Sequence, residues 1–414
     1  MTRRNLLLMA FGLLVGLLPM GAVAQGSQKI TLSVLWFNDS NESQVFQKVM
    51  ADYLASHPNV RLDMQVVPFN DYENKLKLMI AGGNPPDVAR ITNNQIAMFV
   101  NQLQPLTGPV FSDLAAHYFP SSLALGSDSS GRLLAMPTEA TANGMIVNKT
   151  YFRRAGIDVD KLSLTWDWDQ WVAAMRKVLA ANPTCKYGVA VDFTPFRFST
   201  FLFEAGGRFL TDGGTKMAFD SPAGLDALNF FKMLHDQGLA PASVWMGSEN
   251  PQEMFAAGLV ACHIGGSWLI NAYNNTVKNF DWGAVRMPKR KIRSSVPGGK
   301  WIATFKDSRH KQAALDLIAA FSDKKHNEAY CRDTFNLSAR QDADIVYPSH
   351  TADFKVFSSD LSVTPAYTAE DWKSPGLNKI YSYMREQIVE GLLGHQTMAQ
   401  TAANIDARGD EFLR

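Results

Sequence analysis

Cysteine is scarce in this chain, with only Cys185, Cys262 and Cys331 among 414 residues. No two of them have Cys-x-x-Cys spacing, which excludes the common zinc-binding and thiol-redox motifs. An exported protein could form one disulfide and leave one thiol over. We favour the alternative of three buried, unpaired thiols that behave as small apolar side chains.

An excess of charge is also missing, because 40 Lys and Arg stand against 39 Asp and Glu. This balance argues against nucleic acid as a partner, since nucleic-acid-binding domains usually carry a basic excess. With 46% hydrophobic residues the chain is typical of a globular protein, and its length suits two domains.

Common catalytic motifs are absent as well. The sequence contains no Gly-x-Ser-x-Gly elbow, no P-loop, no Gly-x-Gly-x-x-Gly and no His-Glu-x-x-His. The eight histidines are scattered. We therefore expect no cofactor, no metal and no enzymatic activity.

Long apolar runs are confined to the N-terminus. Arg3 and Arg4 precede an apolar stretch at Leu6–Met20, and small residues follow at Ala22–Ala24. This pattern predicts a secretory signal peptide over residues 1–24 with cleavage near Ala24–Gln25, and a retained anchor is the alternative. Because no cysteine follows the site for lipid attachment, we expect a free periplasmic protein.

The periodicity of the remaining chain alternates between strands and helices. Lys29–Phe37 predicts a strand, Val45–Leu54 a helix and Leu62–Val66 a second strand, which together form a βαβ unit with parallel strands. Similar alternation continues to Phe321 and indicates an α/β fold. The main loop-like stretch is Met287–Lys300, which is rich in basic residues, Gly and Pro.

Two segments leave predicted strands at their carboxyl ends, where ligands of such sheets bind. They are Trp36–Asp39 and Arg90–Asn93. An equally weighted alternative places Trp36 in the core and makes Asn38 and Asp39 a helix cap.

Several motif-like segments follow one another along the chain: Gly82–Val88, Leu103–Thr107, Gly131–Pro137 continuing to Lys149, Ala155–Asp158, Thr165–Asp167, Gly258–Trp268 and Gly298–Trp301. In this order they resemble the motifs of family 1 extracellular solute-binding proteins, the maltose- and oligosaccharide-binding group of ABC importers. Val147 departs from the usual Tyr of this pattern, and Cys262-His263 departs from a small-Met pair.

This resemblance implies a two-lobed periplasmic-binding-protein fold of the α/β class, with a ligand cleft at the hinge. Each lobe is expected to be a mostly parallel sheet flanked by helices. We expect lobe one to comprise residues 25–138 and 289–337, and lobe two to comprise residues 139–288 and 338–414. The implied partners are a carbohydrate and the permease of an ABC importer with its cytoplasmic ATPase, and the chain is expected to be monomeric.

Sugars present hydroxyl groups and apolar ring faces, which proteins bind with forked polar groups and flat aromatic rings. The candidate aromatic platforms are Trp36, Trp245, Trp268, Trp301 and Trp372, and the other candidate ligand-binding residues are Asn38, Asp39, Arg90, Glu139, Asp192, Gly299 and Arg340. Trp268 is the strongest platform candidate because it begins a helix after a Gly-Gly turn. A core position is the alternative for any single Trp.

Two other functions use the same residue types. A secreted glycoside hydrolase would pair carboxylates such as Glu139, Asp192 and Asp39 as acid and nucleophile. A binder of an anionic derivative, such as a sugar or glycerol phosphate, would use Arg90 or the basic segment Lys289–Arg293. A solvated loop is the simpler interpretation of that segment.

Overall fold

The computed structural model describes residues 29–211 and 213–413. The predicted signal peptide and its cleavage site lie outside these residues. No helix in the described part of the chain is long and apolar enough to cross a membrane. The strands are β1 Ile30–Trp36, β2 Val60–Val66, β3 Val88–Ile91, β4 Met136–Asn148, β5 Tyr187–Val191, β6 Val260–Gly266, β7 Trp282–Val285 and β8 Pro297–Ala303.

Helices follow most strands, as the alternating periodicity predicts. In the first half of the chain they are α1 Glu42–Val49, α2 Ala51–Ser56, α3 Phe69–Ala81, α4 Asn93–Met98, α5 Pro109–Ala116, α6 Pro120–Leu125, α7 Lys149–Arg154, α8 Val159–Ser163, α9 Trp168–Ala181 and α10 Pro195–Glu204. In the second half they are α11 Pro222–Asp236, α12 Ala242–Trp245, α13 Pro251–Ala256, α14 Leu269–Thr276, α15 Lys311–Phe321, α16 Lys324–Thr334, α17 Thr351–Ser362, α18 Tyr367–Lys373, α19 Pro375–Lys379, α20 Tyr381–Leu392 and α21 Met398–Leu413.

The long strand β4 connects two groups of strands. Its first part, through Ala142, pairs antiparallel with β8, which continues the order β2-β1-β3-β8. From Asn143 onward, β4 pairs antiparallel with β6 and β7, and β5 lies beyond β6. Strands β1, β2 and β3 are parallel to one another, as are β5 and β6. Each group thus contains parallel strands, whereas β8, β4 and β7 pair antiparallel with their neighbours.

Most predicted elements are present with small shifts of their ends, and two predictions were wrong. The single helix expected over Val45–Leu54 is two helices, α1 and α2, separated by Met50. The loop expected over Met287–Lys300 ends early, because Pro297–Ala303 forms β8 between β3 and β4. In a sequence, a glycine pair usually indicates a loop. Here the pair lies inside a strand because it makes room for the backbone of the neighbouring strand, which the sequence does not show.

Large aromatic side chains fill the interior. Trp166, Trp168 and Trp171 are fully buried, and Trp168 stacks on Phe230 with ring centroids 4.0 Å apart. All three cysteines are free and buried, as we favoured from the sequence. Their packing gives them the role of small apolar side chains.

Candidate ligand-binding cleft

A cleft of about 330 Å³ opens where the two strand groups meet. Its volume falls within the range usual for small-molecule sites. The lining residues are Asp39, Phe69, Thr92, Asn93, Asn94, Thr141, Thr194, Phe196, Arg197, Trp268, Gly298, Gly299, Lys300, Trp372, Asn378 and Tyr381.

The carboxyl ends of parallel strands supply much of this lining. Asp39 follows β1 and Thr92 follows β3, where its side chain caps α4. Arg197 lies in the first turn of α10, soon after β5, and Trp268 follows β6. In both strand groups, the cleft thus lies at the edge where ligands of parallel sheets usually bind.

Asp39 is the carboxylate at the centre of one wall. Its Oδ2 lies 2.9 Å from Lys300 Nζ and 3.3 Å from Arg90 Nη2. Arg90 is fully buried and also forms an ion pair with the buried Glu139. Burial raises the pKa of Asp39, but the charges of Lys300 and Arg90 outweigh that effect and hold the pKa well below its ordinary value.

The pair Gly298–Gly299 lets β8 approach β4 closely. A Cβ on Gly299 would lie 2.4 Å from the carbonyl oxygen of Glu139, and one on Gly298 would lie 2.7 Å from Thr141 Oγ1. Any larger residue would therefore push the two strands apart. The glycines thus bring Thr141 and Lys300 together on the cleft wall.

The opposite wall is built around Arg197. Its guanidinium carbon lies 4.2 Å from the centroid of the Trp268 ring, within the range of a cation–π contact. Arg197 Nε donates to Asp192 Oδ2 at 3.3 Å, and Nη1 donates to Asn143 Oδ1 at 2.7 Å. His263 Nε2 lies 2.7 Å from the other oxygen of Asp192. Burial raises the pKa of Asp192, but His263 and Arg197 hold it below its ordinary value.

A second, smaller chamber of about 180 Å³ adjoins the first and shares Asp39 and Trp268 with it. Its other walls include the amides of Gln252 and Asn271. Asn271 Nδ2 donates to Ser40 Oγ at 3.2 Å, which connects α14 to the loop after β1. The cleft is therefore longer than its main chamber.

Residues 39–328 match the model of the bacterial extracellular solute-binding proteins, which is more than half of the chain. The chain belongs to this family. A binding protein of Brucella abortus (strain 2308) is 23% identical over 361 residues, covering 84% of this solute-binding protein and 86% of the relative. The maltotriose-binding protein of Pyrococcus abyssi is 26% identical over 266 residues, covering 64% of this chain and 54% of that relative.

Among solved structures, the GacH receptor of Streptomyces glaucescens has a TM-score of 0.79 at 21% identity. The match covers 93% of this chain and 98% of that one. It confirms the predicted two-lobed α/β fold of periplasmic binding proteins.

Four of the predicted site residues of this solute-binding protein line the cleft: Asp39, Trp268, Gly299 and Trp372. Their contact with a ligand remains a prediction. Trp372 is 1% exposed and donates from Nε1 to Ser199 Oγ at 3.3 Å, so little of its ring faces the cleft.

Three more predicted residues lie behind the lining. Arg90 and Glu139 are fully buried beneath Asp39, and Asp192 lies behind Arg197. The interpretation of Arg90 as a direct ligand or anion contact is therefore corrected. These side chains hold the residues of the cleft wall in place.

Three predicted platforms are core residues instead. Trp36 is fully buried, and its ring centroid lies 4.7 Å from that of Phe46. Trp245 and Trp301 are 1% and 0% exposed, and their Nε1 atoms donate to the backbone oxygens of Val191 and Ser122. None of the three rings has a face available to a ligand in this structure.

Asn38 and Arg340 also lie away from the cleft. The Oδ1 atom of Asn38 accepts from the backbone N–H of Ser43 at 2.9 Å, so Asn38 stabilises the start of α1. Arg340 is 4% exposed, forms an ion pair with Asp342 and lies over the ring of Tyr118. Both side chains are structural in this arrangement.

The basic segment Lys289–Arg293 also has structural partners. Arg290 forms an ion pair with Asp226 at 2.8 Å, and its guanidinium lies over Trp168. Arg293 donates to the backbone oxygens of Ser163 and Leu164. No residue of the segment lines the cleft, so the cleft gives no support to its interpretation as an anion-binding site.

Several lining residues were missed from the sequence. The strand-end rule, applied to β5, would have indicated Thr194, Phe196 and Arg197. Asn378 and Tyr381 belong to helices near the C-terminus and carry no local signal of a site. Only the folded chain brings them to the cleft.

Proposed function

We propose that this solute-binding protein binds a neutral carbohydrate or polyol in the cleft and delivers it to the permease of an ABC importer. The observation that carries the proposal is the mixture of aromatic rings with amides and hydroxyls around one chamber. Phe69 and Trp268 offer partly exposed rings, while Asn93 and Asn94 offer hydrogen-bonding groups. Sugars need both kinds of contact.

The balance of charge favours a neutral ligand over a sugar phosphate. In the described part of the chain, each cation at or beneath the cleft has a carboxylate partner, which leaves no uncompensated positive charge there for a phosphate. The pairs are Lys300 and Arg90 with Asp39, Arg90 with Glu139, and Arg197 with Asp192. The names of two similar proteins also support a sugar, because one binds maltotriose and the other was solved with acarbose.

We further propose that the protein does not convert its ligand. A glycoside hydrolase needs a carboxyl group with a raised pKa as its general acid. Asp39 and Asp192 have lowered pKa values, and Glu139 is paired with Arg90. Incubation of the purified protein with a bound sugar, followed by mass spectrometry, tests this proposal. Conversion over many turnovers would contradict it.

A thermal-shift panel tests the proposed ligand class. Maltose, maltotriose, arabino- and galacto-oligosaccharides, glycerol and glycerol phosphate would each be added at equal concentration, with calorimetry on those that stabilise the chain. A binder at a hundredfold excess over its Kd stabilises the folded state by about 2.7 kcal/mol. We expect stabilisation by a neutral sugar. Stabilisation by glycerol phosphate alone would favour the anionic alternative.

We propose that the lobes comprise residues 25–138 with 289–337, and residues 139–288 with 338–414. The register shift between Pro137 and Glu139 in β4 supports a boundary there, since bulges bend a strand. Small-angle scattering with and without a bound sugar would detect closure of the two lobes and test whether the chain is monomeric, as expected.

We propose that the mature chain begins near Gln25. N-terminal sequencing of the protein from periplasmic extract tests this start.

A further inference from the structure

His263 is buried in β6, yet both of its ring nitrogens are bonded to elements that form the cleft. Nε2 lies 2.7 Å from Asp192 Oδ1, and Nδ1 lies 2.5 Å from the hydroxyl of Tyr273. Because a carboxylate only accepts hydrogen bonds, Nε2 carries the proton that is donated to Asp192. In the neutral ring, Nδ1 then accepts from Tyr273.

The two partners of His263 lead to the two members of the cation–π pair. Asp192 holds Arg197 through Nε at 3.3 Å. Tyr273 lies on α14, the helix whose first residue follows Trp268. The ring of His263 therefore connects the segment that carries Arg197 with the helix that begins after Trp268.

We propose that His263 is a positioning residue for the cleft, which orients Asp192 and thereby holds the Arg197 guanidinium across Trp268. Arg197 Nη1 has a second anchor in Asn143, whereas Nη2 has no hydrogen-bond partner within the described part of the chain. The N–H groups of Nη2 can therefore donate to a ligand oxygen only if the guanidinium keeps this orientation. The role in binding rests on the proposed function, whereas the orientation of Arg197 does not.

An NMR experiment without ligand tests the orientation in the full chain labelled with ¹⁵N-arginine. The Nε–H resonance of Arg197 is identified by its loss in Arg197→Lys. In His263→Met, which fills the space but cannot donate to Asp192, we expect the resonance to shift and its hydrogen exchange to quicken about tenfold or more. His263→Gln keeps an N–H donor and should restore the wild-type signal.

Two variants separate positioning from packing. His235, whose Nδ1 lies 2.8 Å from the backbone oxygen of Phe231, is a matched histidine away from Arg197. His235→Gln should leave the Arg197 signal unchanged. Tyr273→Phe removes only the hydroxyl that orients His263, so it decides the question if His263→Met does not fold. An unchanged Arg197 signal in folded His263→Met, or in Tyr273→Phe if His263→Met does not fold, would overturn the proposal.

Binding of maltotriose provides the functional measurement. We expect His263→Met to weaken it about tenfold, and to change it by no more than about twofold when Arg197 is already Ala. An equal loss in both backgrounds would show that His263 does not act through Arg197. Failure of the wild-type chain to bind any neutral sugar or polyol of the thermal-shift panel would count against the proposed function, and the ligand-free NMR comparison would still decide the orientation.

Discussion

Gly266 and Trp268 are packed so closely that a Cβ on Gly266 would lie 1.9 Å from Cζ3 of the Trp268 ring. The indole therefore occupies the space of a side chain at the end of β6. The Arg197 guanidinium lies 4.2 Å from the ring centroid and also holds the indole in place. Of the five tryptophans predicted as platforms, Trp268 is the one that lines the cleft without being fully buried.

Replacement of Trp268 should reduce sugar affinity more than it reduces stability. Loss of an aromatic ring that covers a sugar face should cost about 1–3 kcal/mol, which is about one to two decades in Kd. Trp301→Ala is the matched control, since removal of a fully buried Trp should cost about 3–5 kcal/mol of stability. Calorimetry and urea unfolding of both variants would measure this difference. Unchanged affinity with a large loss of stability in Trp268→Ala would show that Trp268 is a core residue.

Gly266→Ala should displace the Trp268 ring and therefore weaken sugar binding, as Trp268→Ala should. Gly144→Ala is the control, because a Cβ there would lie 2.5 Å from Phe357, which does not line the cleft. Both variants should lose stability, and only Gly266→Ala should also bind more weakly. Equal affinities in the two variants would contradict this prediction.

Asp39 should remain ionised in mild acid, because Lys300 and Arg90 hold its pKa below the ordinary value despite its partial burial. The stability from these ion pairs is present above the unfolded pKa of about 3.9 and is lost only as pH falls below it. Sugar affinity should therefore not fall through this group between about pH 7 and about pH 5.

Asp39→Asn should weaken binding, and Lys300→Gln in the same chain should recover part of the loss by restoring neutrality. Additive losses would contradict this coupling.

Glu204 should make the protein less stable as pH rises. Its side chain is fully buried, Oε2 accepts from Trp168 Nε1 at 2.7 Å, and Oε1 has no hydrogen-bond partner in the described part of the chain. Burial raises its pKa well above the ordinary value, so the folded state keeps a proton that the unfolded state loses above about pH 4.3.

Glu204→Gln keeps an acceptor for Trp168 and removes the titration. Urea unfolding at about pH 5 and about pH 8 should show a smaller decrease in stability than in the wild-type chain. Glu253→Gln, at an exposed position on α13, is the control. A pH dependence equal to that of the wild type would show that Glu204 does not cause the decrease.

The three cysteines should be unreactive in the folded protein. Burial raises the pKa of Cys185 to about 12, and it raises the pKa values of Cys262 and Cys331 as well. A thiol reagent such as DTNB attacks the thiolate, which is scarce at neutral pH under these conditions. We expect labelling of all three only after unfolding in denaturant. Rapid labelling of any thiol in the native protein would contradict this.

Local patterns in the sequence were sufficient to predict most of the fold. Alternating apolar residues predicted β1 and β2, because this periodicity depends only on which side of each strand is buried. Val45–Leu54 was less well predicted, since a helical repeat continues across Met50 although the helix does not. The start of strand β8 was missed because Gly298 and Gly299 suggest a loop. Their role is to let β4 pack closely against β8, and the sequence does not reveal that contact.

The sequence by itself determined the α/β alternation, the family motifs, the strand-end segment that contains Asp39 and the Gly-Gly turn before Trp268. Only the tertiary structure decided which tryptophans face the cleft, because no local pattern shows that other side chains pack over both Trp36 and Trp301. It also decided the pairing of Arg197 with Asp192 and the arrival of Tyr381 from a distant helix. Such contacts depend on the packing of segments far apart along the chain, and no local pattern records that packing.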